Sequence, residues 1–111
     1  MAIYHLSAKV ITRAKGQSVI ACAAYRAGER LNDERHGEVY DYTKKQDIAH
    51  SEILLPDNAP QWMRDRGKLW NAVEQSEKRK DAQLAREVQV ALPRELTLSQ
   101  NIELTREFVA N

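Results

Sequence analysis

Residues 13–29 read RAKGQSVIACAAYRAGE, a basic turn running into a helix of small side chains, and this stretch decides the fold class. Ser18 stands where a hydroxyl can accept from the orphan N–H groups of a helix start, which predicts a helix from there to about Glu29. Val19, Ile20, Ala23, Ala24 and Ala27 form one apolar stripe at about 100° per residue, and Tyr25 falls nearly opposite its centre. Upstream, Ala2, Tyr4, Leu6, Ala8 and Val10 alternate with His5, Ser7 and Lys9, the pattern of a half-buried strand over 2–11. Downstream, Asn32–Gly37 reads as a polar turn, and Glu38–Thr43 and Ile48–Leu55 as strands, the second stopped by Pro56. From the start signal Asp57-Asn58-Ala59-Pro60, residues Trp62, Met63, Leu69, Trp70 and Val73 recur at helical spacing until the charged end Glu77–Lys80. Val88, Val90 and Leu92 then alternate with Glu87, Gln89 and Ala91 up to Pro93, and Thr97-Leu98-Ser99-Gln100 is a capping-box signature for a last helix. The order β-α-β-β-α-β-α predicts an α+β fold, an antiparallel sheet with helices packed on it.

Composition narrows the function classes. At 111 residues the chain is sized for one compact domain. Its net charge of +1 hides an uneven distribution, because Lys9, Arg13, Lys15 and Arg26 lie in residues 1–28 without a single acid. Cys22 is the sole cysteine, which excludes an internal disulfide and a Cys-rich zinc site and fits a reducing compartment, the cytoplasm. No apolar run approaches the roughly 20 residues of a bilayer span, and no signal-peptide pattern opens the chain, so no membrane association is expected.

The most informative unit for chemistry is the basic turn followed by Gln17, Ser18 and a helix presenting Tyr25 and Arg26 on its non-aliphatic side. A phosphate would find cations and backbone N–H groups there. Tyr25 is a candidate nucleophile toward a phosphodiester, since a phenol with a base and a metal nearby can attack phosphorus and remain as a covalent ester. An ordinary surface tyrosine fits the same spacing, and spacing alone favours it. His5, His36 and His50 make no His-x-His or His-Glu-x-x-His arrangement, so no metal centre is visible. His50 could pair with Glu52, although a satisfied strand histidine is the preferred reading. Glu87 reads either as an orienting carboxylate or base near the nucleophile or as half of a surface ion pair with a cation such as Arg86 or Lys80. Lys78, Arg79 and Lys80 read as a solvated helix end, and Trp62 and Trp70 as core.

The opening Met1 to Lys9, the run Arg13-Ala14-Lys15-Gly16-Gln17-Ser18, and Ala23-Ala24-Tyr25-Arg26 together resemble the N-terminus of the MobA/MobL conjugative relaxases. Tyr40-Asp41-Tyr42-Thr43, His50 to Pro56, Leu69-Trp70-Asn71, Ala85-Arg86-Glu87 and Leu92 to Leu96 are similar to that family in type, order and spacing. The likeness covers essentially all of residues 1–111 and implies the N-terminal portion of a relaxase domain, an incomplete relaxase-type fold.

The resemblance implies a DNA strand transferase of the His-hydrophobic-His class that nicks one plasmid strand at an origin of transfer. Tyr25 matches the family nucleophile, and would hold the 5′ end of the transferred strand as a phosphotyrosine. Glu87 matches a carboxylate near the family active site, and Lys9, Arg13, Lys15, Gln17 and Arg26 would contact the DNA. The metal-binding histidines of the family lie downstream of the matched region, so a divalent ion, Mg or Mn, is expected for the full-length protein and none for residues 1–111, which should not nick by themselves. Single-stranded DNA at the origin and accessory relaxosome proteins are the implied partners, and an unpaired sheet edge could join two copies of this piece. Two other readings stay open: a non-catalytic single-stranded DNA-binding or regulatory module, and a small α+β interaction domain with no DNA role.

Overall fold

The structure is a computed structural model and describes residues 6–110. Strand β1 (Leu6–Thr12) passes through a 3-10 turn (Arg13–Lys15) into helix α1 (Val19–Ala27). Strands β2 (Arg30–Asp33) and β3 (Glu38–Asp41) follow, then a second 3-10 turn (Gln61–Arg64), helix α2 (Arg66–Ser76), strand β4 (Gln83–Val90) and helix α3 (Leu98–Ala110). The α+β class is as expected, and among the described residues the strands pair as two small sheets, β1 with β4 and β2 with β3. The chain forms two compact units, Val10–Arg86 and Met1–Lys9 with Glu87–Asn111.

The larger unit is built on α1. Ser18 Oγ accepts from the Ala21 N–H at 3.0 Å, as its sequence position predicts, and Val19, Ile20 and Ala24 are buried. Ile11, Leu31, Ala82 and Leu84 complete this core, with Tyr40, Tyr42 and Trp70 packed half-buried against it. Gly28 ends the helix in the left-handed region at φ +67°, its N–H donating to the Ala24 carbonyl. A Cβ there would lie 3.1 Å from Ile48 Cγ1, so the glycine also lets the 42–48 segment close on the helix end. Gly28→Ala is expected to lower unfolding free energy by about 1–2 kcal/mol, the cost of forcing an L side chain into that conformation. Urea unfolding checks this, and a change near zero would mean the helix end relaxes without penalty.

The strand positions differ from the expectation although their number agrees. Residues 30–33, expected to end in a turn, form β2, antiparallel to β3 with Leu31 opposite Tyr40 and Asp33 opposite Glu38. Alternation is present there, but the two inward residues are Leu31 and Asp33, and a buried aspartate is invisible to an apolar pattern. The expected strand 48–55 is absent: the segment is irregular and no described strand pairs with it. Ile53, Leu54 and Leu55 have the composition of a strand without an edge to bond, and composition alone does not satisfy backbone N–H groups.

The second helix begins later than Asp57–Pro60 suggests. Asp65 Oδ1 accepts from the Lys68 N–H at 3.0 Å and starts α2, leaving Trp62 on the preceding 3-10 turn, 43% exposed and not core. The buried residues of α2 are polar, Asn71 and Glu74. Asn71 Nδ2 donates to the Asn32 and Gly67 carbonyls at 2.8 and 2.9 Å, and its Oδ1 accepts from the Glu34 N–H at 3.0 Å. One amide thereby fastens α2 to the end of β2, satisfying backbone groups that a leucine would strand.

In the smaller unit α3 carries the expected capping box. The Gln100 N–H donates to Thr97 Oγ1 at 3.1 Å, and the Thr97 N–H donates to Gln100 Oε1 at 2.9 Å. Asn101 Nδ2 donates to the Pro93 carbonyl at 3.2 Å, tying the helix to the loop that precedes it. The strand expectation for 2–11 falls partly, and His5 and Tyr4 wholly, outside the described residues.

Candidate active site

Tyr25 lies in the last turn of α1 and is 44% exposed, on the side away from Val19, Ile20 and Ala24, as the helical stripe requires. Local sequence explains its exposure, and the return of the chain explains its surroundings. After Gly28 the β2–β3 hairpin doubles back, and the Tyr42 N–H donates to the Glu29 carbonyl at 3.1 Å. That bond sets the Tyr42 ring edge-to-face with Tyr25, centroids 5.2 Å apart. A turn closed by the Lys45 N–H on the Tyr42 carbonyl then carries Lys45 back over α1. Its Nζ sits 3.6 Å from the Tyr25 ring centroid and donates to the Tyr25 carbonyl at 3.1 Å. On the same phenol the Arg26 guanidinium carbon is 5.3 Å from the centroid. Two cations and an aromatic edge therefore hold one exposed phenol, within cation–π range.

The other tyrosines in reach differ. Burial pushes the Tyr40 hydroxyl above the usual phenol range, opposed by the Ser18 hydrogen bond and reinforced by the charges of Asp33 and Glu38. Tyr42 is half-buried beneath the edge contact. Among the described tyrosines Tyr25 is the one presented to solvent.

The basic turn is used differently from residue to residue. Arg13 is turned inward: its Nε and Nη2 meet Glu74 Oε1 at 3.0 and 2.9 Å, and its Nη groups donate to the carbonyls of Glu74, Glu77 and Arg79 at 2.7–2.8 Å. It thus satisfies carbonyls at and beyond the end of α2 that the helix itself leaves open. Gln17 Oε1 accepts from the Thr12 N–H at 2.8 Å, closing the turn. Lys15 and Arg26 are exposed. In the smaller unit Lys9 pairs with Glu87 at 3.2 Å, the lysine side chain 57% exposed and the carboxylate 15%. The ion-pair alternative for Glu87 is thus present, with Lys9 as the cation. Of the candidate residues the structure gathers Tyr25 with Arg26 and Lys9 with Glu87, while Arg13 is taken up by Glu74 and Gln17 by the Thr12 N–H. Sequence reasoning missed Lys45 and Tyr42; the charge of Lys45 alone, twenty residues from Tyr25, carries no signal of where it folds.

Behind α1 lies a second polar cluster. Ser18 Oγ donates to Asp33 Oδ2 at 2.7 Å, His36 Nδ1 is 2.7 Å from the same oxygen, and the His36 N–H donates to Oδ1 at 3.2 Å. Burial pushes the Asp33 carboxyl up, but the bonds from Ser18 and His36, with the His36 charge, more than offset this and hold it below its ordinary value. A depressed carboxyl stabilises the fold above the unfolded-chain value, about 3.9, and that contribution is lost as pH falls through the lower folded value. Urea midpoints are expected to decline below about pH 4, with Asp33→Asn flattening the decline; an unchanged slope in that variant would remove Asp33 from the acid response.

His50 Nε2 is 3.6 Å from Glu52 Oε1, so the pair is present although a strand histidine is the preferred reading of the sequence, and it lies on irregular chain. Among the described residues no three His, Cys, Asp or Glu side chains gather as a metal site. The donors among the described residues do not fit a metal centre.

The MobA/MobL family profile matches residues 17–111. Conjugal transfer protein TraA of Rhizobium radiobacter is 47% identical over all of this chain, which spans 11% of that protein. Mobilization protein MobL of Acidithiobacillus ferridurans is 52% identical over 90% of the chain and 26% of its own length. A solved chain described under "Molecular Basis of Vancomycin Resistance Transfer in Staphylococcus aureus" superposes with a TM-score of 0.88 at 44% identity, over 96% of this chain and 55% of that one. The chain therefore spans a tenth to a quarter of the length of these two relatives.

Proposed function

The chain belongs to the MobA/MobL family, and from that premise we propose that the protein containing it mobilises plasmid DNA by nicking one strand at an origin of transfer, with Tyr25 as nucleophile. The observation that carries this reading is the exposed Tyr25 phenol held between Arg26 and Lys45. The phenol oxygen attacks the scissile phosphorus, its proton passing to a base, and the bond from phosphorus to the 3′ oxygen breaks. The leaving 3′ oxygen takes up a proton, and the 5′ end stays on Tyr25 as a phosphodiester. Bond energy is conserved in that ester, so the reverse attack rejoins the strand without a high-energy cofactor.

In this reading Lys9, Lys15 and Arg26 meet the backbone of the single strand, giving salt-dependent affinity, while Arg13 and Gln17 shape the turn from within. Glu87, paired with Lys9, is an orienting carboxylate. A divalent ion, Mg or Mn, held by groups outside residues 1–111 belongs to the same proposal, as do accessory relaxosome proteins and a cytoplasmic site of action. No described helix is long and apolar enough to cross a membrane.

The test is to incubate the full-length protein with the origin strand and a divalent ion, then digest the denatured adduct with trypsin. A nucleotide on the Gly16–Arg26 peptide at Tyr25 is the expected result. An adduct on Tyr40 or Tyr42 would displace the assignment, and binding without any adduct would make this a DNA-binding module.

A further inference from the structure

Lys45 contacts Tyr25 twice, and neither contact uses up its charge. An ammonium has three N–H donors. Among the described residues its hydrogen bond is to the Tyr25 carbonyl, and the Asp47 carboxylate, 78% exposed, lies 3.9 Å away, beyond hydrogen-bond length. The Lys45 side chain is 18% exposed, so its charge is shielded from solvent and screened less than a surface lysine's. It stands over the face of the ring whose far end bears the hydroxyl. Lys44, its neighbour, is exposed.

We infer that Lys45 is a catalytic residue of the Tyr25 site, its ammonium neutralising the non-bridging oxygens of a DNA phosphate as that phosphate becomes esterified to the Tyr25 hydroxyl. This rests on the reading of Tyr25 as nucleophile. In attack the phenol oxygen bonds to phosphorus while the 3′ oxygen departs with its electron pair, and negative charge accumulates on the two non-bridging oxygens in between. A cation anchored to the same residue that attacks is positioned for that charge before the reaction begins, and preorganised charge needs no rearrangement when it is needed. The backbone bond explains the anchoring: the Tyr25 carbonyl, near the end of α1, holds Nζ on the phenol's side of the helix. Arg26, 5.3 Å from the ring centroid, is less closely set.

The test uses the full-length protein and the origin strand, measuring single-turnover adduct formation and oligonucleotide affinity separately. Lys45→Gln retains a donor for the Tyr25 carbonyl and removes the charge; Lys45→Arg retains the charge. Lys45→Gln is expected to slow adduct formation by about 10²- to 10³-fold, the scale of losing one preorganised donor, with Kd changed by less than about threefold. Lys45→Arg is expected to recover most of the rate. A Lys45→Gln rate within about threefold of wild type would overturn the inference and show that the residue only closes the helix end. A loss confined to Kd would overturn it as well, reducing Lys45 to a backbone contact. Failure of the underlying reading is recognised separately, because the wild-type protein would then form no adduct at Tyr25.

Discussion

Tyr25→Phe in the full-length protein is expected to reduce covalent adduct formation by at least about 10³-fold while leaving the fold and the affinity for the origin strand nearly intact. The substitution removes one oxygen. The ring that meets Tyr42 edge-to-face and lies under the Lys45 ammonium remains, so packing in the last turn of α1 is preserved. Stability should therefore change by less than about 0.5 kcal/mol, the range of surface substitutions that break no network. Chemistry responds differently, because phenylalanine leaves no nucleophile and no ester can form. Denaturing gels of the adduct and a binding titration at fixed salt separate the two effects. An adduct that persists would move the nucleophile to a neighbouring phenol, Tyr42 first, and a parallel loss of binding would assign Tyr25 to DNA contact instead of attack.

Glu74→Gln is the second large effect, in stability. Glu74 is 3% exposed at the side chain and Arg13 9%, and a single oxygen, Oε1, receives Arg13 Nε, Arg13 Nη2 and Arg35 Nη1 at 2.8–3.0 Å. The substituted amide would keep the shape and an acceptor but leave the Arg13 guanidinium without a counter-charge. Breaking a buried pair by removing one partner costs about 3–5 kcal/mol. Arg13 retains the three backbone carbonyls at the end of α2, which places the expected loss near the lower end, about 3 kcal/mol. For a unit of this size that lowers Tm by roughly 12 °C or more. A loss below about 1 kcal/mol would show that the pair is hydrated and exchangeable, as surface pairs are.

The same arrangement explains why the basic turn was only half readable. Arg13, Lys15 and Arg26 are equivalent in a count of charges, yet the fold turns Arg13 into the end of α2, sixty-one residues away, and leaves Lys15 and Arg26 exposed. Charge pattern reports that cations are near each other along the chain, while their availability depends on which carbonyls and carboxylates arrive later.

What the sequence determined by itself is local. The Ser18 cap, the buried stripe of α1, the exposure of Tyr25 and the Thr97–Gln100 capping box all follow from interactions within about four residues, the reach of one helical turn. The likeness to MobA/MobL proteins was legible for a related reason, since it is carried by short runs in fixed order. Only the tertiary structure decided that residues 30–33 pair while 48–55 do not, that α2 is fastened through Asn71 and Glu74, and that Lys45 and Tyr42 close on Tyr25. Each of these depends on a hydrogen-bond partner many residues away, and a polar side chain is buried or exposed according to whether that partner is delivered. Gly28 is the hinge of the matter: its left-handed turn and missing Cβ let the chain return against α1, and the surroundings of the phenol follow from that return.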